Sequence, residues 1–183
     1  DTGPQNISTS TPTGTGSRVS RNVLYDPWLI RDPSLQPLHN PVIIVPGIMG
    51  SKLIGSEPFL DELWPNIPLM LFPGTDDYLD SISLDLLGST KQAVFSVSVI
   101  SEVRGFDFFS GLFQYLVGSS FIENNDLFEN PYDWRLDISI TATRLKEQID
   151  KIKTQTGSNK VDLVAHSMGG LLVKEYLQKY GGN

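Results

Sequence analysis

Apolar residues are grouped along the chain in short runs and periodic stripes that indicate alternating strands and helices. Residues 42–45 form an uninterrupted β-branched run bounded by prolines, which is typical of a strand buried on both faces of a parallel sheet. Residues 161–164 predict a second buried strand, and residues 127–129 a short one. Residues 93–100 alternate valine with serine and predict a half-buried peripheral strand.

One long amphipathic helix is predicted by apolar residues that recur at alternating spacings of four and three. Shorter helices are predicted at residues 109–117 and 171–180. The long helix is expected to end at Gly157, because glycine tolerates the left-handed conformation that closes many helices. Its apolar stripe consists of Ile138, Ala142, Leu145, Ile149 and Ile152.

This alternation of strands and helices predicts an α/β fold with a parallel sheet and right-handed crossovers. Residues 51–92 are rich in proline and glycine, look irregular, and are too long for a plain loop in a compact domain. We therefore predict a lid-like insertion there. Residues 1–20 are mostly Ser, Thr, Gly and Pro and are predicted to be a disordered linker, which leaves residues 21–183 as the folded part.

The composition and net charge of the chain exclude several classes of function. The 183 residues suffice for one domain with a real core. A net charge of −7 argues against nucleic-acid binding, which needs a concentrated basic face. The chain has no cysteine, so disulfides, zinc–thiolate sites and thiol nucleophiles are excluded. No metal or other cofactor is implied.

The segment "AHSMG" centres on Ser167 and fits the nucleophile elbow, a tight strand-to-helix turn that projects a reactive hydroxyl. Small residues are needed two positions before and after the serine, and Ala165 and Gly169 supply them. Gly170 is expected to add room. The amide of Met168 would then face a developing oxyanion. The competing interpretation is a serine that merely caps a helix.

A serine hydrolase also needs a second oxyanion-hole amide, from the loop after a neighbouring strand. The segment "VIIVPGIMG" offers one, because a turn at Pro46 and Gly47 would bring the amide of Ile48 to that place. Taken alone, Pro-Gly usually marks an ordinary turn.

Three segments together resemble the lecithin:cholesterol acyltransferase family of α/β-hydrolases: "PVIIVPGIMGSKL", "PYDWRL" and "VDLVAHSMGG". The resemblance covers about residues 40–181, as the amino-terminal part of such a domain. It implies that Ser167 is the acyl-accepting nucleophile and that the amides of Ile48 and Met168 form the oxyanion hole. Residues 132–135 would be a structural block. Lid or substrate contacts would come from Trp64, Leu69 and Met70, for which a satellite core is an equal alternative.

The expected triad order in this fold is Ser, then Asp or Glu, then His. Residues 168–183 hold one acidic residue, Glu175, and no histidine. We expect the side chain of His166 to point away from the hydroxyl, and His39 to be a solvated loop residue at the opposite end of the sheet. Neither is a credible base. We therefore expect a fragment that lacks the triad Asp and His and has at most trace activity.

The leading hypothesis is a serine acyl hydrolase or acyltransferase acting on lipid esters. The alternatives are a carboxylesterase or triacylglycerol lipase of the same fold, and a non-catalytic lipid- or surface-binding module. The expected partners are a lipid or other ester substrate and, as a candidate, a lipid surface, with no nucleic acid. The strand at residues 161–164 should lack an outer neighbour, and such an edge favours non-specific association.

Overall fold

The computed structural model describes residues 39–55, 61–71 and 77–181, so the predicted linker at residues 1–20 lies outside the described residues. Strands and helices alternate in the second half of the chain, whereas short strands dominate the first. In chain order the elements are β1 (Val42–Val45), β2 (Ser51–Gly55), β3 (Glu62–Trp64), α1 (Ile67–Leu71), a 3₁₀-helix (Asp77–Ile82), β4 (Val94–Val99), β5 (Glu102–Val103), β6 (Phe106–Asp107), α2 (Ser110–Gly118), β7 (Leu127–Glu129), α3 (Ile138–Thr156), β8 (Asp162–Ala165) and α4 (Met168–Tyr180).

A three-stranded parallel sheet, in the order β7–β1–β8, confirms the predicted α/β fold class. The central strand β1 is fully buried, as its β-branched run predicts. The prediction that residues 161–164 form a buried strand is wrong, since Val164 is 38% exposed, whereas the expected lack of an outer neighbour agrees with the described sheet. The physical reason is that β8 is an edge strand of the described sheet and has no neighbour on its outer side.

Helices cover both faces of this sheet. On one face, α2 and the residues around it pack against Val42, Ile44 and Leu127. On the other face, α3 and α4 pack against Ile43, Val45 and Phe128, and their buried side chains form the main core. The odd and even positions of β1 therefore serve opposite layers, because successive strand side chains point to opposite faces.

The long helix α3 is formed by the predicted stripe, of which Ala142, Leu145, Ile149 and Ile152 are buried. Its amino end is capped by the Asp137 carboxylate, which accepts a hydrogen bond from the amide of Ser139 at 2.7 Å. Its carboxyl end closes at Gly157 with a φ of 68°, as predicted.

A second, antiparallel sheet in the order β3–β2–β4 occupies part of the region that we interpreted as irregular. In β2 every second residue is buried, but the run is only five residues long and its partner β4 is distant in sequence. A register irregularity opposite Val97 shifts the alternation of β4, so that Ser96 and Ser98 are half-buried and Val97 is exposed, whereas Val99 is buried as expected. Whether the 51–92 region acts as a lid stays a prediction.

Candidate functional site

Ser167 lies in the turn between β8 and α4, at the carboxyl end of the parallel sheet. Its backbone has φ 53° and ψ −123°, a conformation that L-residues rarely adopt and that costs free energy. Its side chain is exposed and makes no capping hydrogen bond to α4. The geometry therefore gives no support to the helix-capping interpretation of this serine.

Two glycines allow the turn to approach strand β1 and the loop that follows it. A Cβ added at Gly169 would meet the carbonyl oxygen of Pro46 and lie 2.6 Å from that of Val45. A Cβ added at Gly47 would lie 2.9 Å from the Cβ of Ser167. The expectation that Gly170 adds room is wrong, because a Cβ there would have no neighbour within 4 Å. The third small residue of the motif, Ala165, is exposed and pairs with Val45.

Ser167 opens onto a cavity of about 410 Å³. Most of the side chains that line it are apolar, and they come from both halves of the described structure. Among them are Trp64 and Met70 of the predicted lid, whereas the side chain of Leu69 lies outside the described residues. The lining comprises Gly47, Ile48, Met49, Gly50, Trp64, Pro65, Ile67, Met70, Ile100, Val103, Phe108, Phe109, His166 and Ser167.

Neither the amide of Ile48 nor that of Met168 donates a hydrogen bond to a backbone carbonyl among the described residues. Met168 is the first residue of α4, so its amide has no carbonyl acceptor within the helix. Ile48 lies in a tight turn closed by the amide of Gly50 donating to the carbonyl of Gly47 at 3.1 Å, and it lines the cavity. These are donors of the kind that can stabilise a developing negative charge on a substrate.

Residues 132–135 connect this turn to the rest of the described structure through side-chain hydrogen bonds. The Tyr132 hydroxyl donates to the carbonyl of Pro46 at 3.0 Å. Asp133 and Arg135 form a buried two-bond ion pair, with an Nη2–Oδ2 distance of 2.7 Å. Arg135 also donates from Nη1 to the carbonyl of Ile82 at 2.8 Å, which ties the 3₁₀-helix to this segment.

No candidate base is hydrogen-bonded to Ser167 among residues 39–55, 61–71 and 77–181. His166 lines the same cavity and makes an edge contact with the ring of Phe109 at 6.0 Å. His39 lies in a bend before β1, as expected, but its ring is half-buried and not fully solvated, because it contacts the ring of Phe121 with centroids 3.9 Å apart. The acid on α4, Glu175, forms an ion pair with Lys179 at 3.2 Å.

Sequence reasoning missed the far wall of the cavity. Val103, Phe108 and Phe109 come from the β5–β6 hairpin and the start of α2. The hairpin turns at Arg104 and Gly105, whose φ angles of 50° and 82° match a tight two-residue turn. The glycine was a usable turn signal, but nothing local indicated that these side chains face Ser167.

No helix among the described residues is long and apolar enough to cross a membrane. In the same part of the chain, no group of three or more His, Asp or Glu side chains is arranged to hold a metal ion.

The sequence profile of the lecithin:cholesterol acyltransferase family matches residues 88–182, which is more than half of the chain and includes residues 132–135 and Ser167. The chain belongs to the lecithin:cholesterol acyltransferase family. The profile begins after residues 41–53, the first of the three segments that carry the resemblance.

Relatives in this acyltransferase family extend the match toward the amino end. Human "Lysosomal phospholipase A and acyltransferase" is 28% identical, over 82% of this chain and 45% of the relative. Rabbit "Phosphatidylcholine-sterol acyltransferase" is 25% identical, over 85% of this chain and 42% of the relative. Arabidopsis thaliana "Lecithin-cholesterol acyltransferase-like 4" is 24% identical, over 80% of this chain and 32% of the relative. The chain therefore spans less than half the length of each of them.

Proposed function

We propose that the protein is a serine-dependent lipid acyl hydrolase or acyltransferase that works through an acyl-enzyme at Ser167. The observation that carries the proposal is the strained, exposed position of Ser167 at the wall of an apolar cavity. Strain of this kind is tolerated where function requires it. Membership in the lecithin:cholesterol acyltransferase family, whose relatives are named as phospholipases and acyltransferases, supports the same class of reaction.

In the proposed reaction the Ser167 hydroxyl oxygen attacks the ester carbonyl carbon and loses its proton to a general base. The carbonyl oxygen becomes an oxyanion, which the amides of Ile48 and Met168 stabilise by hydrogen bonding. Collapse of this intermediate breaks the bond to the alcohol, which takes a proton from the base and departs. The acyl group remains on Ser167. Water or a lipid hydroxyl then attacks the acyl-enzyme and restores the serine.

The cavity supports a lipid ester as the substrate class. Its lining includes Ile67, Met70, Ile100 and Phe108, side chains that offer a hydrocarbon chain an environment free of competing water. Ser167 contributes a polar group at this wall. An acyl chain lying among these side chains would present its carboxyl end to the serine.

We further propose that the general base and its carboxylate partner come from outside these 183 residues. The sequence contains two histidines, and neither hydrogen-bonds Ser167 within the described ranges. Without a base a serine hydroxyl is a weak nucleophile at neutral pH. The relatives are more than twice as long as the part of them that this chain matches, which leaves room for both residues.

Fluorophosphonate labelling of the natural full-length protein tests the proposal. We expect one label, located on Ser167 by peptide mass mapping, and none in Ser167→Ala. Ser89→Ala is the matched control, since Ser89 is exposed in a loop and its loss should leave labelling unchanged. Labelling that persists in Ser167→Ala would reject Ser167 as the nucleophile.

The second candidate is a non-catalytic lipid-binding module, favoured by the lack of a base bonded to Ser167 in the described residues. The same experiment separates the two. Binding of a fluorescent fatty-acyl probe with no phosphonate labelling and no ester hydrolysis by the full-length protein would support the module. Labelling at Ser167 would exclude it.

A further inference from the structure

Two aromatic side chains, those of Tyr132 and Trp64, hydrogen-bond to the loop formed by residues 46–50. The Tyr132 hydroxyl donates to the carbonyl oxygen of Pro46 at 3.0 Å. The indole nitrogen of Trp64 donates to the carbonyl oxygen of Met49 at 2.9 Å. These hydrogen bonds come from separate segments, the loop after β7 and strand β3, and they hold the residues on both sides of Ile48, whose amide donates no hydrogen bond within the described part of the chain.

Tyr132 is itself firmly anchored. It is only 3% exposed, and its amide donates to the hydroxyl of Ser51 at 3.0 Å, immediately after the loop. The carbonyl of Ser51 accepts from the indole nitrogen of Trp134 at 3.3 Å. Burial raises the pKa of Tyr132 to about 12, so the phenol keeps its proton and remains a donor at every physiological pH.

The Pro46 carbonyl connects this anchor to the serine turn. Its oxygen lies so close to Gly169 that an added Cβ there would collide with it. The oxygen is therefore packed between the Tyr132 hydroxyl and the first turn of α4. Because the peptide unit is planar, fixing this carbonyl also fixes the plane of the Gly47 amide, one residue before Ile48. Only the two soft dihedrals of Gly47 then separate the fixed plane from the Ile48 amide.

Gly47 itself has little freedom to move. A Cβ at this position would lie 2.9 Å from the Cβ of Ser167 and 3.3 Å from the carbonyl oxygen of His166. The backbone of Gly47 thus packs against the serine turn on one side, while its preceding carbonyl is held by Tyr132 on the other. A loop restrained in this way holds its amides at a constant distance from the serine hydroxyl.

We infer that Tyr132 is a positioning residue for the reaction, and that Trp64 is a second one, because together they orient the loop that carries the Ile48 amide. Neither acts on the substrate through its own polar group, since the Tyr132 hydroxyl and the Trp64 indole NH are both donated to loop carbonyls. The inference rests on the proposed function. It assigns a positioning role to Tyr132, a member of the 132–135 block for which the resemblance implied only structure.

The expected effect follows from what a misplaced donor costs. Loss of one oxyanion-hole donor lowers the rate on the order of 100- to 1000-fold. Removal of the Tyr132 hydroxyl would displace the Ile48 amide without deleting it, so we expect a kcat lower by about 10- to 100-fold. The KM for a short-chain ester should change by less than about twofold, since the apolar cavity wall stays in place.

Tyr132→Phe in the full-length protein is the direct test, assayed with a p-nitrophenyl ester and with the fluorophosphonate. Tyr115→Phe is the matched control, because it also removes one phenol hydroxyl, from a side chain that is 71% exposed on α2. We expect kcat and the labelling rate constant to fall in Tyr132→Phe at unchanged KM, and both to stay unchanged in Tyr115→Phe. All measurements are made well below the melting temperature of each variant.

Trp64→Phe is the second variant, because it removes the other donor from a different segment and carries the test if Tyr132→Phe does not fold. Trp64 also lines the cavity, so its KM is expected to change and the decision for this variant rests on kcat. A lower melting temperature with an unchanged kcat in the folded variants would assign these hydrogen bonds to stability alone and overturn the inference, as would failure of both to fold. If instead wild-type protein is not labelled at Ser167, the proposed function itself fails, and the two failures are thus distinguishable.

Discussion

Adjacent glycines in the first turn of α4 allow a matched test of the site geometry. Gly169 and Gly170 differ in what a methyl group would meet. At Gly169 the added carbon would lie against two backbone carbonyls, those of Val45 and Pro46, the former at 2.6 Å. At Gly170 it would meet nothing within 4 Å. The same substitution therefore has opposite consequences at neighbouring positions.

The magnitude follows from these distances. Ordinary contact for a Cβ begins at about 3.4 Å, so α4 would have to move away from β1 by most of an ångström in Gly169→Ala. Overpacking of this kind costs about 1–3 kcal/mol, and backbone neighbours on both sides put the cost near the upper end. For a domain of about 150–250 residues, 3 kcal/mol lowers the melting temperature by roughly 6–12 °C, and the shift is smaller in a longer protein. Gly170→Ala should instead stabilise by about 0.5–1 kcal/mol through helix propensity.

The rate of labelling at Ser167 should depend on the position of the serine turn and not on the overall stability of the variant. The shift in Gly169→Ala moves Ser167 relative to the 46–50 loop, and a displacement of about 1 Å can cost on the order of 100-fold in rate. Thermal denaturation and fluorophosphonate labelling of the two full-length variants provide the measurements. Equal stability and equal labelling rates in Gly169→Ala and Gly170→Ala would refute the close approach on which the site geometry depends.

Two further predictions concern a half-buried acid, Glu129, and the strained serine. Burial raises the pKa of the Glu129 carboxyl above its ordinary value of 4.5. The stability that Glu129 contributes is therefore complete below pH 4.5 and is lost as the pH rises through the raised pKa. In Glu129→Gln the side-chain amide oxygen can still accept a hydrogen bond from the amide of Val99. Urea unfolding from about pH 4 to pH 8 should show that the free energy of unfolding of this variant exceeds that of wild type by an amount that grows with pH. A difference that stays constant with pH would contradict this prediction. Ser167→Gly should raise the free energy of unfolding by about 1 kcal/mol while abolishing labelling, because glycine adopts φ 53° without strain. No stability gain in Ser167→Gly, with Ser167→Ala as the control, would argue against strain at this residue.

Elements made by local patterns could be predicted from the sequence. The sequence predicted the apolar stripe of α3, the end of that helix at Gly157 and the buried run of β1, and the structure contains each of them. Their periodicity reflects which side chains must leave water, and that requirement acts on neighbours along the chain. The α/β class followed from their order.

Elements that depend on distant partners were missed or misjudged. Strand β2 pairs with β4, whose partner residues lie about forty positions further along the chain, and the register irregularity between them changes which residues of β4 are buried. The exposure of Val164 follows from the edge position of β8 in the described sheet, a position that the expected lack of an outer neighbour had indicated although the apolar run itself suggested burial. The role that we infer for Tyr132 required the distance from its hydroxyl to the Pro46 carbonyl.

By itself the sequence determined the alternation of strands and helices, and it picked out Ser167 between small residues. Hydrophobic period and glycine placement act over a few residues, so they can be interpreted without coordinates. Only the tertiary structure brought the β5–β6 hairpin, the 46–50 loop and the serine turn around one cavity, and only it seated Tyr132 beneath that loop. Those contacts join segments separated by tens of residues, and their geometry depends on packing the whole core.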